Sequence, residues 1–284
     1  MDTEARKVRN IVEPQTVLEG AGVRLKRSIA TATLDNLDPF LLFDHFGSKD
    51  PADYIKGFPM HPHRGIETVT YMIQGVVNHK DSLGNAGSIS SGDVQWMTSG
   101  GGIMHEEMPQ PGQDEMIGFQ LWVNLPARLK MGQPRYQNIF ADQIPRVTRA
   151  DGVKILVIAG EVDAVRGPVT EIEADPIYLD ITVGQNSEFQ HPVKKGHTAF
   201  AYVFEGRGLF GSNGAEKAIS HPRLVHFGDG DHVMVKATDQ HVRFLLVSGK
   251  PLNEPIARYG PFVMNTQAEI QQALEDLRNG TFVK

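Results

Sequence analysis

The chain of 284 residues contains no cysteine. It therefore has no thiols for disulfides, for Cys-ligated zinc or for a thiolate nucleophile. Long apolar runs are missing too, so no stretch is expected to span a bilayer. The N-terminal segment MDTEARKVRNIVEPQ is charged and has no apolar core of the kind that a secretory signal requires. Together these absences predict a cytoplasmic protein with no membrane partner.

Positive charge is also scarce. The chain has 28 Lys and Arg against 34 Asp and Glu, which gives a formal net charge of −6. General nucleic-acid binding depends on Lys and Arg contacts to phosphates, so no direct nucleic-acid partner is expected. A small basic patch that meets a protein partner is still compatible with this charge. The hydrophobic share of 40% provides material for a real core.

Short β-strand patterns dominate what is present. Apolar, β-branched and aromatic runs alternate with Gly, Asn, Asp and Pro, as in ETVTYMI, VQWMTS, FQLWVNL, VKILVIAG, IYLDITV, AFAYVFEG and RFLLVSG. Many short strands with frequent turns are typical of all-β sandwiches and barrels rather than of βαβ folds.

Only the C-terminal segment NTQAEIQQALEDLRNG predicts a helix. Thr266 is the expected N-cap and Gly280 the expected stop. The residues on the apolar face are Ile270, Ala273, Leu274 and Leu277.

The chain also repeats itself. TVTYMIQG, which ends at Gly75, resembles AFAYVFEG, which ends at Gly206, and SGDVQWM resembles FGDGDHV. Two copies of one β-barrel unit explain this pattern. The polar, proline-bearing region 134–146 has linker character. We therefore expect an N-terminal domain at 1–137 and a C-terminal domain at 138–284.

Two histidine-containing pairs carry the chemistry. His61 and His63 lie two apart and share a face if the segment is extended, which Pro62 favours. His105 and Glu107 follow a glycine-rich turn and are again two apart. Three imidazoles and a carboxylate suit a divalent transition metal. These four side chains are the predicted metal ligands.

Alternatives stay open at this point. A lone His-x-His pair is often a surface or turn feature, and the second pair is what favours a metal. Glu67 follows His63 closely and could replace Glu107 as the ligand, or it could pair with Arg64. Glu106 would face away from the other ligands.

Other conspicuous residues have ordinary expected roles. His45 and His79 have no partner in sequence, which favours structural positions. Trp96 and Trp122 are expected in the core, although either could line a pocket beside the metal. The triple glycine 100–102 has no phosphate-loop pattern around it and is expected to allow a tight turn.

The second half lacks the same ligands. The positions that correspond to the four predicted ligands hold Pro192, Lys194, His241 and Arg243. Because a lysine and an arginine repel a divalent cation, we expect one metal per chain, in the N-terminal half. The other half is expected to be a scaffold or a binding domain.

Together these segments resemble the pirin family of the bicupin fold, over nearly the whole chain. The segments are DPFLLFDHFG, HPHRGIETVTY, GDVQWMTSGGGIMHEEMP, LWVNLPARLKMGQPRYQ, GKPLNEPIARYGPFVMNT and the closing helix. The resemblance implies two jelly-roll-like β-barrel domains with a short C-terminal helix. It also implies one metal in the N-terminal barrel, usually iron. The family's ligands match His61, His63, His105 and Glu107 residue by residue, whereas general cupins take the carboxylate from the position resembling Glu67.

The resemblance implies two roles. One is a quercetin 2,3-dioxygenase that opens the heterocyclic ring of a flavonol with dioxygen, with Fe(II) at the site and Glu107 accepting the substrate proton. Mn, Co, Ni, Cu or Zn would also suit these ligands. The other is a non-enzymatic, redox- or metal-dependent regulator that binds a transcription factor or a metabolic enzyme. We expect the enzyme, and we expect the flavonol rings to lie near Phe46, Phe58, Met97 and Trp122.

Overall fold

A computed structural model of the chain describes residues 4–112, 114–211 and 216–283. Within those ranges it contains 25 strands, three short 3-10 turns and one α-helix. The first twelve strands are β1 (Val8–Val12), β2 (Gln15–Glu19), β3 (Val23–Ile29), β4 (Phe40–Ser48), β5 (Phe58–His63), β6 (Ile66–Gln74), β7 (Val76–Asp81), β8 (Ala86–Ser90), β9 (Val94–Thr98), β10 (Ile103–Pro109), β11 (Met116–Asn124) and β12 (Arg135–Ile139). The others are β13 (Arg146–Thr148), β14 (Lys154–Ala159), β15 (Glu161–Val162), β16 (Val165–Arg166), β17 (Ile177–Val183), β18 (Glu188–Pro192), β19 (Thr198–Phe210), β20 (Lys217–Ser220), β21 (Arg223–Phe227), β22 (His232–Lys236), β23 (Val242–Gly249), β24 (Ala257–Tyr259) and β25 (Phe262–Met264). The helix is α1 (Gln267–Arg278).

The all-β class with one short C-terminal helix is confirmed by these elements. Among the described residues, no helix has the length and apolarity needed to cross a membrane.

Contacts divide the chain into two compact units, and each terminal segment belongs to the unit built mainly by the other half. Gln15–Ala141 groups with the C-terminal segment from Leu252, and we call this the histidine unit. Asp142–Pro251 groups with the N-terminal segment up to Pro14, and we call this the second unit. The sequence-based limits of 1–137 and 138–284 run in chain order. These limits do not assign either terminal segment to the unit formed by the other half of the chain. That assignment depends on contacts between residues far apart in sequence, which local sequence patterns do not reveal.

The histidine unit is built from two antiparallel sheets. One has seven strands in the order β12-β9-β6-β11-β4-β3-β2, and the other has four in the order β5-β10-β7-β8. An apolar cluster joins residues from both sheets: Val23, Tyr54, Met72, Val77, Ile89 and Met116. β6 and β9 are almost entirely buried, including polar residues such as Glu67, Thr70 and Gln95. The result is a two-layered β-structure with a core between the layers.

The C-terminal helix begins and ends where the sequence predicts. Thr266 accepts a hydrogen bond from the backbone N–H of Glu269, and the Glu269 side chain accepts from the Thr266 backbone, which forms a capping box. Gly280 follows the helix with φ of +71°. Ile270 and Ala273 are buried. They pack with the β24–β25 hairpin in the histidine unit.

The second unit has a main sheet in the order β1-β21-β19-β23-β17-β14-β13, and β18, β20 and β22 extend it. Its apolar core includes Phe244, whose ring contacts Phe189 and Phe210 edge-on at centroid distances of 5.8 and 5.4 Å. The repeated glycines have a backbone reason. Gly75 and Gly206 have φ of +101° and +69°, a region that disfavours other residues.

Candidate metal centre

Three histidines from two adjacent strands meet in the histidine unit. His105 on β10 lies opposite His61 on β5 in the strand register, and His63 lies two residues further along β5. The Nε2 atoms of His61 and His63 are 3.0 Å apart. One candidate ligand atom from each of the three side chains lies within 4.8 Å of the others. The structure therefore brings together the three predicted histidines.

The burial and the missing hydrogen-bond partners of these imidazoles favour a metal-binding role over a structural role in the core. His63 and His105 are each only 2% exposed, and neither ring nitrogen of His105 has a hydrogen-bond partner among the described residues. Buried polar atoms without partners are costly. Burial, and next the neighbouring His79, lower the pKa of His105 to about 4. Unprotonated imidazoles with free lone pairs are the ligating state, so these residues suit a divalent transition metal.

Glu107 lies beside this cluster on β10, two residues after His105. Its carboxylate accepts hydrogen bonds from the Thr70 hydroxyl at 3.0 Å and from the Gln120 amide at 3.4 Å. Burial raises the pKa of Glu107, and His61 is the strongest opposing influence. Two polar side chains thus fix the carboxylate next to the imidazoles. Its role as a fourth ligand stays a prediction.

The rival carboxylate is engaged elsewhere. Glu67 lies on β6 and accepts a hydrogen bond from the Thr98 hydroxyl at 2.8 Å. Arg64, its other expected partner, forms an ion pair with Asp276 at 2.7 Å. Neither carboxylate is part of the three-histidine cluster itself, but Glu107 lines the cavity beside His61 and His63 and Glu67 does not.

Arg64 connects the histidine strand to the C-terminal segment. It is 1% exposed, and it donates through Nε to the Gly101 carbonyl at 2.7 Å. Its guanidinium carbon lies 4.4 Å from the centroid of the Phe282 ring. A Cβ on Gly102, which has φ of +143°, would come within 2.3 Å of the Phe282 carbonyl oxygen. In the triple-glycine turn before His105, position 102 therefore requires glycine, because the C-terminal segment packs directly against it.

A cavity of about 490 Å³ opens beside the histidines. Its apolar walls are Val23, Leu25, Leu42, Phe46, Phe58, Val77, Met116 and Trp122. Trp122 is edge-on to His63 at a centroid distance of 5.2 Å. Of the four ring-holding residues expected from sequence, Phe46, Phe58 and Trp122 line the cavity. Met97 is not among the residues that line the cavity, because it is 0% exposed on β9, and β6 lies between it and Trp122.

One polar row across the seven-stranded sheet was missed by sequence reasoning. Thr70 on β6 pairs with Gln120 on β11, Gln120 with Asp44 on β4, and Asp44 with Arg27 on β3. All four line the cavity. Asp44 and Gln120 lie among mainly apolar neighbours in β4 and β11, and that signal could have identified them. Arg27 and Thr70 lie in strands with several other polar residues, so no such signal marks them.

The C-terminal segment also contributes to the cavity, which sequence reasoning did not foresee. Arg258 lines it, and its guanidinium carbon lies 5.0 Å from the Trp122 ring centroid.

His45 and His79, which are both expected from sequence to be structural, lie at different distances from the histidine cluster. His45 packs against the Phe119 ring at 4.9 Å, away from the ligand cluster. His79 is 7% exposed on β7 and pairs with Glu107 in the strand register. Its ring stacks on Tyr136 at 6.0 Å. His79 thus lies directly behind the site, and only the β7–β10 pairing reveals it.

Three of the four corresponding residues of the second unit contact carboxylates. Arg243 pairs with Asp180 at 2.7 Å, and Lys194 pairs with Asp175. His241 meets the Glu205 carboxylate.

Comparison with known proteins agrees with this geometry. Residues 22–123 match the Pirin family model, and residues 178–283 match the model of the Pirin C-terminal cupin domain. A Pirin-like protein of Caulobacter vibrioides is 43% identical over 98% of this chain and 99% of its own length. Human Pirin is 41% identical over 97% of this chain and 93% of its own length. The crystal structure of a quercetin 2,3-dioxygenase from Acinetobacter baumannii superposes with a TM-score of 0.88, at 35% identity, over 98% of both chains. The expected two-cupin architecture is confirmed by these matches.

Proposed function

Because this chain belongs to the pirin family, we propose that it is a metal-dependent dioxygenase that opens the heterocyclic ring of flavonols such as quercetin with dioxygen. The observation that carries this proposal is the position of the histidine cluster. His61, His63 and Glu107 line an otherwise largely apolar cavity, and His105 completes the three-histidine cluster behind that wall. Polar catalytic groups at the wall of an apolar pocket are typical of small-molecule sites. The quercetin 2,3-dioxygenase of Acinetobacter baumannii, with its similar fold, supports the same reading.

His61, His63, His105 and Glu107 would hold the metal. A bound divalent transition metal, for which we expect Fe(II), supplies Lewis-acid and redox chemistry and lowers the pKa of a flavonol hydroxyl. Glu107 would accept the proton from that hydroxyl, and the burial of its carboxylate and the hydrogen bond from Thr70 support this role.

The cavity walls orient the substrate and exclude water. Phe46, Phe58 and Trp122 present rings or ring edges to a flat ligand. Trp122 also contacts His63, so a ring packed on it lies close to the ligand cluster.

Oxygen consumption tests the proposal. We expect the iron-loaded protein to consume dioxygen with quercetin and release carbon monoxide, and the metal-free protein to do neither. Glu107→Gln should lose turnover, whereas the matched variant Glu67→Gln should keep bound metal and most of its turnover. If Glu67→Gln loses turnover and Glu107→Gln retains it, Glu67 and not Glu107 would be the carboxylate of the site.

No turnover of any flavonol by protein with a full metal complement would refute the enzyme proposal. The non-enzymatic, metal-dependent regulator would then be the favoured function.

A further inference from the structure

The wall of the metal-site cavity carries a second polar centre, remote from the histidines. Arg27 donates to both oxygens of Asp44, at 2.8 and 2.7 Å, and to Glu19 at 2.6 Å. All three residues line the cavity, together with Arg258 from the C-terminal segment. Asp44 is 4% exposed, whereas the Glu19 side chain is 40% exposed, so this charged centre is partly buried.

Strand register fixes the separation between the two polar centres. Thr70, which contacts Glu107, stands three strands away from Arg27 in the row through Gln120 and Asp44. Neighbouring strands are about 4.8 Å apart, so the row spans about 14 Å. That length is comparable to the long axis of a flat three-ring molecule.

Apolar rows flank this polar row on the same face of the sheet. On one side Leu25 pairs with Phe46, and Phe46 with Gly118. On the other side Leu42 pairs with Trp122. A Cβ on Gly118 would come within 2.4 Å of the Phe46 ring, so glycine there makes room for that ring. A flat ligand therefore meets apolar surface along its length, with polar groups near the histidine cluster and at the end remote from it.

The remote centre has unused hydrogen-bonding capacity. Each Asp44 oxygen accepts one bond from Arg27 and keeps a further lone pair. Among the described residues, Arg258 donates only to the Leu41 and Gly260 carbonyls, at 3.2 and 3.5 Å. A guanidinium has five N–H donors, so several remain for a ligand.

Charge at this centre is already balanced, with Arg27 and Arg258 against Asp44 and Glu19. A ligand carboxylate or phosphate would add an uncompensated charge in a partly buried place, which is unfavourable. A neutral hydroxyl can donate to Asp44 and accept from Arg258 without changing the balance.

We infer that Asp44 and Arg258 form a subsite that selects neutral, flat substrates with a hydroxyl at the end remote from the metal. This inference rests on the proposed function, because it assumes that the chelating hydroxyl and carbonyl groups of the ligand bind at the histidine cluster. Asp44 accepts the hydroxyl proton in a hydrogen bond, and Arg258 donates to the hydroxyl oxygen.

Calorimetric binding of two probes tests the subsite in the metal-loaded full chain without dioxygen. Quercetin and 3-hydroxyflavone share the chelating 3-hydroxyl and 4-carbonyl groups, but only quercetin has hydroxyls on both outer rings. We expect the wild-type protein to bind quercetin about tenfold more tightly, as one or two extra hydrogen bonds allow. Arg258→Met and Asp44→Ala should each reduce that ratio at least threefold, whereas the matched control Arg166→Met, in the second unit, should leave it unchanged.

Equal affinities in the wild-type protein, or an unchanged ratio in Arg258→Met, would overturn the inference. Arg258→Met keeps the test valid if Asp44→Ala fails to fold. If quercetin binds and is turned over but the ratio survives both substitutions, only the subsite is refuted. If neither probe binds the metal-loaded protein, the proposed function fails together with the subsite.

Discussion

Replacing Lys130 with methionine would measure how strongly the metal-site region is tied to the C-terminal segment. Lys130 is 1% exposed, and its Nζ donates to the Gly65 carbonyl at 2.8 Å, the Asn124 side chain at 2.7 Å and the Val263 carbonyl at 2.8 Å. Gly65 follows the strand of His61 and His63, and Val263 belongs to the C-terminal hairpin. One ammonium group therefore connects three parts of the histidine unit.

Two opposing effects determine how much Lys130→Met changes the free energy of unfolding. Hydrogen bonds from a charged donor are worth about 1.5 kcal/mol each, so Lys130→Met loses three of them. Burial lowers the pKa of Lys130 from 10.5 to about 8, despite Glu254 and Glu269. Removing that buried charge recovers about 3 kcal/mol. We expect a net loss of about 1–2 kcal/mol in the free energy of unfolding at pH 7.

The pH dependence gives a sharper signature than the stability itself. Since folding lowers this pKa, the unfolded chain binds more protons between pH 8 and pH 10.5. Wild-type stability should therefore gain a contribution of about 3 kcal/mol across that window, and Lys130→Met should lack it.

Urea denaturation followed by tryptophan fluorescence is the assay, because both tryptophans, Trp96 and Trp122, belong to the histidine unit. The exposed Lys80 on β7 gives a matched control, and Lys80→Met should change stability by less than about 0.5 kcal/mol. Identical pH profiles for the wild-type protein and Lys130→Met would refute the reasoning.

Three further outcomes are expected. His105→Ala should reduce bound metal from one equivalent to none by elemental analysis, and retention of the metal would contradict the ligand assignment. Asp276→Asn should destabilise the histidine unit by about 3 kcal/mol in urea, because it leaves the buried Arg64 without its carboxylate partner; an unchanged midpoint would show that the pair is not a tie. Burial and, next, Arg149 lower the pKa of His191 to about 4, so the unfolded chain binds more protons between pH 6.5 and pH 4 and wild-type stability falls by about 3 kcal/mol across that window. His191→Gln should remove this acid sensitivity in denaturation followed by circular dichroism, and parallel curves would argue against it.

The three histidines could be predicted from sequence because their spacing carries the geometry. Side chains two apart on a strand share a face whatever the strand pairs with, so the sequence alone predicts that His61 and His63 point the same way. The helix was readable for a similar reason, since Thr266 and Glu269 form a local capping box. Local rules suffice wherever the interaction lies within a few residues.

The rest of the cavity depends on which strands are neighbours, and the sequence does not state that order. Asp44 and Gln120 are 76 positions apart in number, yet they are direct cross-strand partners. His79 looked isolated for the same reason, because only the pairing of β7 with β10 places it opposite Glu107. Met97 was expected near the substrate from its position in the chain alone, and the sequence does not state that β6 lies between Met97 and Trp122.

The exchange of terminal segments also bears on how the protein is made. The cavity takes Arg258 and Pro261 from the C-terminal segment. The histidine strand is held through Arg64 by Asp276 and Phe282. On a ribosome, the first half of the chain is therefore synthesised long before the residues that complete its site. A nascent chain truncated before Leu252 would lack one wall of the cavity and the residues that hold Arg64, so the cavity can be completed only in the last steps of translation.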